Sequence, residues 1–149
     1  MEPSVQRPEP SLRSPARTLR VVRVDHPAKL PDGLDVEQLV AFFHEEMRPW
    51  EDEPEDIRRA LAYAWAEQGQ PGGFVLLALD GDELVGALTI LHTGMGGYVP
   101  ASLLLFVAVH RTRRGQGIGR RLVQRAQHGC PGAIKLHVEY DNPARRLYE

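Results

Sequence analysis

Of its 149 residues the chain gives one to cysteine, two to lysine, two to tryptophan and three to methionine. A single cysteine, Cys130, excludes an internal disulfide and suits a reducing cytoplasm, the compartment expected here. No apolar run approaches the roughly 18 residues that a membrane span needs. Residues 1–17 carry prolines and arginines but no apolar stretch of the secretory-signal kind. A large charge of one sign is also missing: a net charge of −2 gives no bulk electrostatic reason to bind nucleic acid or a membrane. Sixteen arginines against two lysines read as a composition bias and carry no function. Metal motifs fail as well. "HEEM" at His44 lacks the second histidine of a zinc protease helix, and His137-x-Glu139 has no P-C-x-x-C after it, so no metal is expected.

The rest is an ordinary globular composition, 42% apolar and 26% charged, in a length that suits one domain with a real core. Residues 1–17, with four prolines and no periodicity, read as a flexible tail ahead of a domain at 18–149. "TLRVVRVD" (18–25) alternates like a strand. Asp35 is set up as the N-cap of a first helix, with Gln38 as its capping-box partner and Val36, Leu39, Val40, Phe43 and Met47 as its apolar stripe; Pro49 stops it. A second helix begins near Pro54, buries Ile57, Leu61, Ala64 and Trp65, and has Gly69 as its stop signal. Residues 73–91 read as two strands around the Asp80-Gly81 turn signal. "HTGMGGYVPAS" (92–102) is a glycine-rich loop, a candidate flap. "LLLFVAV" (103–109) reads as a buried central strand. A helix with Ile118, Leu122, Val123 and Ala126 on one face follows, then a strand at 133–140, and "DNPARRLYE" opens a last helix capped by Asp141 or Asn142.

The stretch between that apolar strand and the next helix, "RRGQGIGRR" (113–121), gives up its side chain at Gly115, Gly117 and Gly119. Strand, glycine turn and helix together present unpaired N–H groups and a positive helix end to an anion. The spacing is neither G-x-x-x-x-G-K-[ST] nor G-x-G-x-x-G. It does fit R-x-x-G-x-G/A, with Arg114, Gly117 and Gly119.

That motif, within "VAVHRTRRGQGIGRRLV", resembles the pyrophosphate loop of the GNAT N-acetyltransferase superfamily. A second signature is similar too, with Leu136, Val138, Asn142, Ala144, Leu147 and Tyr148 at the family's positions. The resemblance covers 18–149. It implies an α/β fold, a mixed and mostly antiparallel sheet splayed between its fourth and fifth strands, with helices on both faces. It also implies acetyl-CoA as cosubstrate, with transfer of the acetyl group to a primary amine by direct attack in a ternary complex.

On that comparison, backbone amides of Arg114, Gly115, Gln116, Gly117, Ile118, Gly119 and Arg120 cradle the pyrophosphate. Arg111, Arg113, Arg114, Arg120 and Arg121 surround it with positive charge, while Arg125 reads as a solvated helix face. Val107 and Val109 offer backbone groups to the pantetheine arm, and Asn142 bonds the same arm or simply caps its helix. Acyl transfer to an amine develops an oxyanion, which backbone donors near Val109 can stabilise. Tyr148 takes the general-acid position, a phenol of pKa about 10 protonating a thiolate, or else packs its helix.

Many relatives carry a glutamate on the strand before the loop, and "SLLLFVAVH" has none. Glu139, His137 and His92 remain as candidate general bases, with Glu139 preferred; water-mediated deprotonation stays open. The 45–56 stretch, "EEMRPWEDEPED", holds seven acids and one arginine and either attracts a cationic amine or is a solvated helix start. An acyl-CoA-binding regulatory module without turnover is the alternative function. Family members continue past the Leu-Tyr pair into further strands that close the sheet, and these strands are missing here. The expectation is therefore a chain incomplete as an independent fold. The open edge is then covered by a C-terminal segment beyond Glu149, is bare in a shortened chain, or is met by a second copy in a homodimer; the first is favoured.

Overall fold

The computed structural model describes residues 19–94, 101–130 and 134–136. Five strands form one sheet in chain order: β1 (Leu19–Val24), β2 (Gly73–Asp80), β3 (Glu83–His92), β4 (Ser102–Val109) and β5 (Ile134–Leu136). The first four pair antiparallel, and β5 runs parallel to β4. Helices α1 (Val36–Glu46) and α2 (Pro54–Ala64) cover one face, and α3 (Ile118–His128) covers the other.

Local sequence explains most of these limits. Both legs of the α1 capping box are present, Gln38 N–H to Asp35 Oδ1 and Asp35 N–H to Gln38 Oε1, each at 2.8 Å. The helix ends at Glu46 rather than at Pro49, because a residue ahead of proline is pushed out of the helical region. Pro54 is the first residue of α2, as its fixed φ favours. That helix stops at Ala64, five residues before Gly69, and Ala66 takes a left-handed φ of +53°. The buried Trp65 indole donates to Val24 O at 3.1 Å and anchors the chain there, overriding the glycine signal. The β2–β3 turn is Gly81-Asp82, one position later than the Asp80-Gly81 signal, since Asp80 still pairs with Glu83.

Two apolar layers sandwich the sheet. Val75, Leu77, Leu79, Ala87, Phe106 and Ala108 meet α1 and α2; Phe74, Leu76, Leu88, Ile90 and Leu104 meet α3. β2 and β3 are therefore buried on both faces. β4 is not: its residues alternate between buried and half-buried, because few described neighbours cover its outer side. The continuous apolar run of β4 thus marks the fourth of the five described strands. β5 pairs with only Ser102–Leu104, at the start of β4, and the rest of β4 has no described strand beyond it.

A β-bulge interrupts the pairing of β3 with β4. Thr89 pairs with Phe106 and Ile90 with Leu104, leaving Leu105 as the extra residue. Strict alternation would put Leu104, Phe106 and Ala108 on one face. Instead Leu104 packs toward α3, while Phe106 and Ala108 lie under α1 and α2.

Gly73 shows how tightly β2 and β3 meet. A Cβ there would lie 1.9 Å from Ile90 O, a backbone atom that cannot step aside. Gly73→Ala should cost about 3 kcal/mol or more of unfolding free energy, at the upper end of overpacking effects, as read by urea denaturation.

Candidate active site

β4 runs directly into a single 3-10 turn (Arg111–Arg113), the glycine stretch and α3. Gly115 and Gly117 carry φ of +81° and +84°, a left-handed backbone that disfavours side chains by about 1–2 kcal/mol. Around both, the space a Cβ would take is open. Gly119 differs: it is buried in the first turn of α3. Ile118 is buried beside it and the Gln116 side chain is exposed.

Of the three described α-helices, α3 alone combines an uncapped start with a first turn free of acids. Its first hydrogen bond is Arg121 N–H to Gly117 O at 3.0 Å, no side chain caps the N–H groups ahead of it, and its first turn holds no acid. Arg120 and Arg121 stand exposed there, without an ion-pair partner among the described residues. Cations at the positive helix end each cost about 0.3–1 kcal/mol, a penalty that a bound anion reverses. Gly86 lets this turn lie close to the sheet, for a Cβ on it would come 2.9 Å from Ile118 Cγ2. Nothing in the sequence distinguishes that glycine from any other strand glycine.

Beside this helix end lies the stretch of β4 that no described strand pairs on its far side. His110 N–H donates to Val85 O at 2.9 Å, so 110 and 85 form a hydrogen-bonded pair, and pairs alternate along an antiparallel ladder. Val107 and Val109, opposite Leu88 and Gly86, therefore point their backbone groups away from β3. Val109 O is already taken by Arg114 Nε at 3.0 Å.

The arginines divide. Arg113 turns inward to Asp80 at 2.7 Å and Glu83 at 3.9 Å, tying the loop to the β2–β3 hairpin. Arg111 pairs with Glu45 at 2.6 Å, and that hydrogen bond holds the Glu45 carboxyl below the usual carboxylate range. Arg114 Nη2 donates to Glu46 O at 2.7 Å. Of the five arginines expected around the anion, only Arg120 and Arg121 have no acid partner among the described residues.

Acids of the 45–56 stretch are engaged to match. Glu45 also meets Arg48, Glu55 meets Arg58 and Asp56 meets Arg59, each within 2.8 Å. Glu51 and Glu53 make no ion pair among the described residues. Glu46 is the residue that sequence reasoning missed, a buried carboxylate whose side chain is 5% exposed. Its signal was there: position 46 continues the stripe of Leu39, Val40 and Phe43 and so had to face inward.

His92 lies at the other end of β4. Its Nδ1 sits 3.1 Å from Ser102 Oγ, its backbone N–H donates to Gly72 O, and its ring centroid is 6.0 Å from that of Phe74. Seven strand steps of roughly 3.3 Å separate its partner Ser102 from Val109, about 23 Å. Cys130 is buried, and burial pushes its thiol up, away from nucleophilic behaviour. The candidates His137, Glu139, Asn142 and Tyr148 lie outside the described residues, as does the centre of the expected flap. Among the described residues no three side chains are grouped to hold a metal ion, and no helix is long and apolar enough to cross a membrane.

Solved structures share this architecture. An aminoglycoside acetyltransferase from an uncultured soil metagenomic sample, in complex with sisomicin, superposes with a TM-score of 0.58 at 20% identity, covering 89% of this chain and 86% of its own. A ribosomal-protein-alanine N-acetyltransferase from Brucella melitensis biovar Abortus 2308 gives 0.60 at 18%, covering 87% of each chain. A transcriptional regulator from Bacillus halodurans C-125 gives 0.57 at 26%, covering 87% of this chain and 89% of its own. No curated protein matches the sequence. Fold and site thus define an α/β domain of the acetyltransferase type. The sequence matches the Acetyltransferase (GNAT) family over residues 36–149, and the chain belongs to that family.

Proposed function

We propose that the protein transfers an acetyl group from acetyl-CoA to a primary amine, by direct attack in a ternary complex. The observation that carries this reading is the bare, arginine-flanked start of α3 beside the stretch of β4 that no described strand pairs on its far side. Its open N–H groups and left-handed glycines suit a pyrophosphate, and the strand edge suits an amide-bearing arm. Acetyl-CoA bound there supplies an acetyl thioester. The backbone from Arg114 through Gln116 to Arg120 holds the anion, and Arg120 and Arg121 add charge for its phosphates. Val107 and Val109 hold the arm in line with the strand, with Asn142 as a further donor. Tyr148 acts as general acid toward the departing thiolate, and Glu139 as general base toward the amine.

For the acceptor, the α1–α2 connection supplies the chemistry. Glu51 and Glu53 leave net negative charge after the neighbouring pairs among the described residues are counted, which favours a cationic amine. The neighbours named above act on amines of two kinds, an aminoglycoside and a protein alanine. Reversing Asp52 and Glu53 to lysine should raise KM for a cationic amine severalfold, with a larger effect at low salt; initial rates across ionic strengths check it.

A second reading, an acyl-CoA-binding regulatory module without turnover, is favoured by the lack of any carboxylate on β4. A thiol-release assay with acetyl-CoA and a panel of amines separates the two. Amine-dependent release establishes the enzyme. Tight acetyl-CoA binding with no release for any amine establishes the module.

A further inference from the structure

Glu46 closes α1, where the negative end of the helix dipole disfavours an acid and burial adds to the cost. A leucine would continue the apolar stripe without either penalty. The contacts of Glu46 show what offsets them. Oε1 accepts the backbone N–H of Arg111 at 2.9 Å, with Arg111 Nε at 3.5 Å and Arg114 Nη2 at 3.4 Å. Oε2 faces His110 Nε2 at 3.8 Å. The Glu46 carbonyl takes Arg114 Nη2 at 2.7 Å, and Arg114 Nε in turn holds Val109 O at 3.0 Å. All these contacts end on residues 109–114, the segment that joins β4 to the glycine turn. Among the described residues no other buried ion pair ties that segment to α1.

We propose that Glu46 is a positioning residue for the coenzyme loop. It fixes residues 110–114 against α1, so that Gly115 and Gly117 present the N–H groups at the start of α3 in the geometry that receives a pyrophosphate. Arg111 and Arg114 serve this carboxylate rather than the ligand. Because α1 continues into the acidic α1–α2 connection, the same residue keys the acceptor wall to the coenzyme loop. The inference rests on the acetyl-CoA reading above.

The test compares Glu46→Gln and Glu46→Ala with wild type and with Ile57→Val, a core change under α2 remote from the loop that lowers stability by itself. Calorimetric titration with acetyl-CoA should show Kd rising about 10-fold for Gln, which keeps an acceptor for the Arg111 N–H, and about 100-fold for Ala. At saturating acetyl-CoA, kcat should stay within about twofold of wild type, so the loss falls in KM. Amide exchange at Arg111 should accelerate in both Glu46 variants and not in Ile57→Val. Wild-type affinity in folded Glu46→Ala overturns the inference and leaves the coenzyme reading standing. An equal affinity loss in Ile57→Val also overturns it, by reducing the effect to stability. Wild type that fails to bind acetyl-CoA overturns the coenzyme reading, and this inference with it.

Discussion

Gly117→Glu is expected to abolish measurable acetyl-CoA binding, a loss of at least about 100-fold, in a protein that still folds. Space is available, since no atom lies within 4 Å of the position a Cβ would take. Strain at φ of +84° costs about 1–2 kcal/mol, and a carboxylate at the positive end of α3 returns about 0.3–1 kcal/mol. The net is small against the stability of a domain this size. Binding is another matter. The new carboxylate lies beside the N–H groups proposed to hold the pyrophosphate and repels its charge at contact distance. Gly117→Ala separates strain from charge and should lose less than about 10-fold. Calorimetric titration decides; unchanged affinity in folded Gly117→Glu would move the pyrophosphate site off the glycine turn.

Tyr148→Phe should lower kcat by about 10²–10⁴ while Kd for acetyl-CoA stays near wild type. A phenol of pKa about 10 is protonated at neutral pH and can give its proton to a departing thiolate whose own pKa is about 8.5. The direction of the pH dependence follows. Wild-type kcat falls as pH rises through the tyrosine pKa and the acid is lost; the phenylalanine variant, with no proton to lose, lacks that limb. Equal turnover by variant and parent would return Tyr148 to packing the last helix.

The site was legible in part. Glycines at 115, 117 and 119 announced a special turn because only a backbone need explains three lost side chains in five residues. The capping box at Asp35 and Gln38, the proline at the start of α2 and the apolar face of α3 were equally readable, since each depends on neighbours within one or two turns. The arginines misled. Their charge suggested an anion cage, yet Arg111, Arg113 and Arg114 are spent on Glu45, Glu46, Asp80 and Glu83, acids 30 to nearly 70 residues away in the chain. Arg113 and Arg114 are adjacent and identical in type, but one turns to the hairpin and the other to α1.

By itself the sequence determined the order of the described strands and helices, the strand–turn–helix that can take an anion, and membership of the GNAT family. Those are local or pattern-borne properties, set by φ preferences, periodicity and short spacing. Tertiary structure alone decided which arginines remain free, that Leu105 is the bulge that splits β4 between two faces, that Gly86 admits α3 to the sheet, and that Glu46 is buried to hold the loop. Each of these depends on which distant groups meet. Burial then converts such a meeting from a weak surface contact into one that fixes a geometry.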